Sequence, residues 1–152
     1  MTQKALADRL MDLCDQNAEQ IAEQWYKSLI TNPRTHTFRS NPKESCIRHA
    51  VFLFKNLRRM YFADNPYEDV IHILDATGYA EEQYGRSIPL AEAIYALILV
   101  RRHIWLYAES SALFNTASDM YPALQSTNRI LLLFDYAIYM VIQKYEKMSN
   151  RQ

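Results

Sequence analysis

From Leu90 to Leu106 the chain contains neither glycine nor proline, and nearly every side chain is apolar. Gly85-Arg86-Ser87 makes a turn ahead of it. Pro89, with its fixed φ and missing N–H, suits a first helical turn, and Glu92 complements the positive end of the helix dipole. Leu90, Ile94, Leu97, Ile98, Ile104 and Trp105 recur at the spacing of one helical face, while Ala93, Tyr95, Ala96, Leu99 and Val100 fill the others. A helix that is apolar all round must be covered on several sides. The spacing therefore predicts a central helix in a bundle or one shared with a second subunit. Arg101, Arg102 and His103 interrupt the run too soon for a membrane span.

The remaining chain reads as helices laid around this one. About half of the 152 residues are apolar, which suits a single domain over residues 1–152 with a real core. Basic and acidic residues balance at 17 each, giving no global electrostatic reason to expect nucleic acid or an anionic membrane. Cys14 and Cys46 lie within helix-like patterns, without a CxxC partner, and read as buried free thiols of a reducing compartment. No apolar export segment opens the chain, so a cytoplasmic location is expected.

The pattern predicts an all-α fold of about five helices. The first, about Gln3 to Ile30, turns Leu6, Leu10, Leu13, Ile21, Trp25 and Leu29 inward and Lys4, Asp8, Asp12, Glu19, Glu23 and Lys27 outward. Asn17 interrupts its stripe, and its more polar first half is expected to project from the body or dock on a partner. Three Asn-Pro steps follow. Asn32-Pro33 reads as a stop, because the residue before proline is pushed out of helical geometry. Asn41-Pro42 and Asn65-Pro66 read as starts, with Glu44 and Glu68 placed as in a capping box. Two helices result, about Pro42 to Phe62 and Pro66 to Tyr84. The former exposes a basic face of Lys43, Arg48, Lys55, Arg58 and Arg59, read as solvated surface because no aromatic-lined groove accompanies it. In the latter, Gly78 either permits close backbone approach or ends the helix early, near the central helix. The last helix starts at Ser118 or Asp119 with Pro122 in its first turn, runs to about Lys147, and is again apolar on nearly every side. The short connection around Asn115–Ser118 predicts that the last two helices form an antiparallel hairpin.

Two such apolar helices are hard to bury in one small subunit. A homodimer in which the hairpins of two copies form a four-helix bundle is the economical solution, and a five-helix monomer with both at its centre is the alternative. Arg101, Arg102 and Asp135 break the apolar runs of the two helices; with the turn centred near Thr116, Asp135 lies opposite Ile98, about one turn from either arginine. An ion pair among them, flanked by Phe134 and Ile138, would set helix register in the dimer, a role such pairs fill more reliably than stabilisation. The alternative is that the arginines reach solvent along their stems and Asp135 caps a polar seam. Tyr79 and Tyr84, with Trp105, are candidates for a small-molecule pocket, or else core-rim residues whose hydroxyls reach water. No metalloprotease motif, phosphate loop, nucleophile elbow or paired-cysteine metal pattern is present, so no catalytic activity is expected.

Gly78-Tyr79, the block IPLAEAIYALIL from Ile88 to Leu99, and Arg101-Arg102-His103-Ile104-Trp105 together resemble the N-terminal sensor domains of RsbR-type stressosome proteins, over about Ile21 to Lys147. The resemblance implies a globin-like fold without haem or other cofactor, dimerisation through the C-terminal helices, and a role as an input module of bacterial signalling, with a signalling protein as partner. Members usually carry a C-terminal output domain, whereas this chain stops at Gln152, and glycine is expected before the Ile-Pro step where Ser87 stands. A globin-like fold raises a rival reading, a haem-binding gas sensor with His72 or His103 as axial ligand. A second rival is a scaffold with no signal to sense.

Overall fold

A computed structural model describes residues 3–151, with side chains from Ala5 to Arg151. Lys4, expected on an outward face, lies outside the described side chains. Among the described residues the fold is all-helical and forms one domain around one apolar cluster, with more helices than the hydrophobic pattern implied.

Both extra helices arise from single residues. Asn17 divides the expected first helix into α1 (Gln3–Gln16) and α2 (Ala18–Thr31): its side-chain amide donates to the Leu13 carbonyl at 2.9 Å, beside its own backbone N–H at 3.1 Å. A short amide side chain that reaches a nearby carbonyl competes with the helical ladder, and the chain bends there. The bend brings α1 onto the body rather than away from it. Leu6, Leu10, Met11 and Cys14 are at most 1% exposed, and α1 packs on α3 and α7, so the expected projecting segment is part of the core.

The second division falls at Gly78, between α4 (Pro66–Thr77) and α5 (Tyr79–Gly85). Gly78 has φ +64°, and its N–H reaches the carbonyls of Leu74 and Asp75. A Cβ there would meet nothing within 4 Å, so the glycine answers the left-handed backbone that ends α4 and not a close approach.

The Asn-Pro steps differ in what their asparagines do. Asn65 accepts from the Glu68 N–H and caps α4 as expected. Asn32 ends α2, and its side chain accepts from Arg34 to open a 3-10 segment, Pro33–Ser40, that helical periodicity did not reveal. At α3 (Lys43–Tyr61) the cap position is Pro42, and Asn41 instead donates to Gln83 at 3.0 Å, so the expected capping box is not formed there.

Helix α6 (Leu90–Ser110) starts after Pro89 and packs on α1, α2, α5, the 3-10 segment and the last helix, α7 (Met120–Asn150). Three aromatic side chains from other elements donate to carbonyls of α6 or its lead-in: Trp25 to Ala96 at 3.0 Å, Tyr79 to Ala93 at 2.6 Å and Tyr145 to Ile88 at 2.9 Å. Ala93 and Ala96, wholly buried, leave room for these rings, and a helical carbonyl keeps a second lone pair for such a donor. Glu92, also buried, accepts from the Thr37 N–H at 2.9 Å and its hydroxyl at 2.6 Å, fixing the 3-10 segment to the first turn of α6.

Ser87, just before Ile88 and Pro89, has φ +61°, a left-handed conformation that costs an L-residue about 1–2 kcal/mol. The two left-handed positions on either side of α5 should respond oppositely to exchange. Gly78→Ala should lower the free energy of urea unfolding by about 1 kcal/mol, and Ser87→Gly should raise it by about 0.5 kcal/mol, the relief of strain being partly offset by unfolded-chain entropy. Equal effects of the same sign would contradict this account.

Candidate functional site

The face that α6 and α7 turn away from the core is unusually apolar. On α6, Ile94, Ile98 and Trp105 are half-buried and Leu106 is 47% exposed. On α7, Leu124 is 57% and Tyr139 52% exposed, and Leu131, Leu132, Ile138 and Ile142 are half-buried. Met120 and Tyr121, at the start of α7, stand more than two-thirds clear of the protein. Contiguous apolar surface of this kind marks an interaction site more often than scattered single residues do.

The charges singled out in these helices also reach the surface. Arg101 is half-buried, Arg102 and Asp135 are exposed, and among the described residues none of the three has an ion-pair or hydrogen-bond partner. Ile138 belongs to this surface while also touching the core. Phe134 does not: it is 2% exposed and packs inward beside Leu53, Leu57 and Val70, because its position on α7 faces the core. It is corrected here to a core residue.

Tyr79, Tyr84 and Trp105 do not share a pocket. Tyr79 is buried against His49, edge to face at 5.6 Å. Tyr84 packs edge-on to Tyr145 at 5.3 Å, and Trp105 lies 5.6 Å from Phe114. Trp105 follows Ala93, the residue Tyr79 bonds, by twelve positions, about 18 Å along the helix. The enclosed cavity that Tyr79 lines, with Trp25, His49, Leu53, Thr77 and Leu97, is about 20 Å³, the room of a water molecule.

Neither histidine candidate stands as an axial ligand over a haem-sized space. His72 is exposed on α4. His103 is buried between α6 and α2 with Nε2 2.8 Å from the Ser28 hydroxyl, while its Nδ1 is enclosed with no partner among the described residues. Burial, and then the charge of Arg102, hold its pKa below the ordinary value and favour the neutral ring. Cys14 and Cys46 are free and buried, and burial pushes their thiols up to about 12 and about 11, which leaves them unreactive. Among the described residues no three His, Cys, Asp or Glu side chains converge as a metal site, and no helix is long and apolar enough to cross a membrane.

Apart from Lys55, the expected basic face of α3 is paired with the protein's own acids. Arg58 bonds Asp8 and Asp12, Arg59 approaches Asp69, and Lys43 pairs with Glu23. Arg48 belongs to a cluster that sequence reasoning missed. Glu82 Oε2 accepts from the Ser45 hydroxyl at 2.7 Å and lies 2.6 Å from His49 Nε2, while Oε1 lies 3.6 Å from Arg48 and 3.9 Å from Arg86. Ser45 and His49 are four residues apart on α3, a spacing visible in the sequence, but nothing there showed that α5 would place a carboxylate between them. The carboxylate is the central member, and the group ties α3 to α5. Lys144 makes a similar tie from α7, to Asp75 on α4 at 2.5 Å and to Glu81 on α5.

No protein-family model, curated protein or solved structure matches this chain.

Burial pushes the Glu82 carboxyl up, but the hydrogen bonds from Ser45 and His49, with the positive charges of His49 and Arg86, outweigh it, leaving a pKa below the ordinary 4.5. A carboxyl depressed by folding contributes stability that is complete above the unfolded value and is lost as pH falls through the folded one. Urea midpoints of the natural protein should therefore fall more steeply below pH 4.5 than those of Glu82→Gln; parallel curves would remove Glu82 from the acid response.

Proposed function

We propose that this protein is a non-catalytic, cytoplasmic sensor or regulatory domain of bacterial signalling, of the RsbR stressosome type, that acts as a homodimer through α6 and α7. The observation that carries the reading is the outward side of these two helices, where Ile94, Ile98, Leu131 and Ile142 are only half-buried and Arg101 and Asp135 have no partner among the described residues. In this reading α6 and α7 of each copy form an antiparallel hairpin within a globin-like arrangement, and two hairpins close a four-helix bundle. A two-fold interface is self-complementary, so a face that carries the unpaired cations Arg101 and Arg102 and the unpaired anion Asp135 fits a second copy of itself. Arg101, or Arg102 one position on, pairs with Asp135 across the interface. A signal then acts by shifting that register, and a signalling protein reads the shift.

The local ties described above suit such a role. Glu82 and Lys144 hold α4 and α5 to their neighbours, so a displacement of α7 is carried into the body through Lys144 and Tyr145.

Sedimentation equilibrium tests the reading. The natural protein should be dimeric at micromolar concentration, Asp135→Ala should raise the dimer dissociation constant about tenfold, the scale of one partly buried ion pair, and Leu131→Glu should give monomer. A natural protein that sediments as a monomer would overturn the dimer. Native mass spectrometry separates sensing from scaffolding: a retained small molecule supports the sensor, and a bare dimer under every growth condition supports the scaffold.

A further inference from the structure

The outward residues of α7 have an order that bears on how a second copy lies on them. Leu124, Asn128, Leu131, Asp135, Ile138 and Ile142 follow one another at separations of four, three, four, three and four, the heptad seam of a two-stranded coil. Leu124, Asn128 and Asp135 are exposed, and Leu131, Ile138 and Ile142 half-buried, so all six reach the surface of one helix. In heptad terms Leu124, Leu131 and Ile138 occupy d, and Asn128, Asp135 and Ile142 occupy a. Both polar members are at a, and neither has a partner among the described residues.

That distribution discriminates between the two ways of laying α7 on its copy. Antiparallel packing sets a against the other chain's d, and every d residue here is Leu or Ile, so each Asn128 and each Asp135 would face an aliphatic side chain in any register. Parallel, in-register packing sets a on a and d on d. The Leu124, Leu131, Ile138 and Ile142 layers are then wholly apolar, and polar groups meet only polar groups. An asparagine amide carries both donor and acceptor, so Asn128 can bond its own copy, the arrangement by which one buried asparagine fixes register and two-strandedness. The Asp135 layer alone would be repulsive. It is tolerated if Arg101 of each copy, on the neighbouring helix of the proposed hairpin, extends along the axis to it, two cations for two carboxylates.

We infer that α7 pairs with α7 of a second copy as a parallel, in-register seam, with Asn128 setting the register and Asp135 and Arg101 forming a four-residue charge layer. This rests on the homodimer proposed above and specifies its geometry.

Single-cysteine cross-linking in the full chain tests it. Cysteines at a packed a position lie within disulfide reach of their own copies in a parallel seam. Asn128→Cys and Ile142→Cys are fourteen residues apart, about 21 Å along the helix. Each should oxidise to a covalent dimer on a non-reducing gel, with most of the chain converted. Cys14 and Cys46, 0% and 2% exposed, should stay silent in the natural protein. An antiparallel pair allows self-cross-linking only near its two-fold axis. A protein that sediments as a dimer while one or neither variant cross-links overturns the parallel seam and leaves the dimer standing. A protein that sediments as a monomer overturns both.

Discussion

Burial of its apolar face holds helix α6 in the core, and what reaches its backbone fixes where it lies. Trp25 from α2, Tyr79 from α5 and Tyr145 from α7 each place a ring in the core and a donor on a carbonyl of α6 or its lead-in. Each contact satisfies the ring's one polar atom where water is absent, which a buried aromatic of this type requires. Because the acceptors are backbone atoms of alanines and of Ile88, the rings set distance and rotation of α6 relative to three other helices at once. Glu92 adds a fourth fixed point at its N-terminal end, where its carboxylate holds Thr37.

Anchored in this way on one side, α6 leaves its other side only partly covered by the described residues. Ala93, Ala96, Leu97 and Val100 face inward, while Ile94, Ile98, Arg101 and Trp105 are only half-buried. The same division holds on α7, where Ile130, Leu133, Phe134 and Ala137 are buried and Leu124, Leu131 and Asp135 are not. The homodimer we propose follows from this excess, and the unpaired charges on the face supply its self-complementarity.

Much of the fold was legible in the residues. The helices α3, α6 and α7, the cap at Asn65 and the buried thiols follow from periodicity and from side chains acting within a few residues of themselves, while Gly78 was legible only as either a helix end or a close approach. What was misread involved a choice between local and distant partners. Asn41, like Asn65, is followed by proline and by a glutamate three residues on, yet it serves Gln83 and not its own helix, because α5 folds back to meet it. Phe134 lies in a run of apolar residues from Ile130 to Phe134, and only the rotation of α7 against α3 and α4 shows that it faces inward while Leu131 does not. Tyr79, Tyr84 and Trp105 share a chemistry but not a location.

Taken by itself, the order of residues determined the helical class, the approximate extent of the long helices and the surplus of apolar surface at the C-terminal end, because each depends on spacing along one helix or on composition. The tertiary structure decided that α1 lies on the body, that Glu82 joins Ser45 and His49, and which side of α7 remains open. Those outcomes depend on how each helix is turned about its axis, and that rotation is set by the summed packing of all its neighbours and is encoded in no single stretch of the chain.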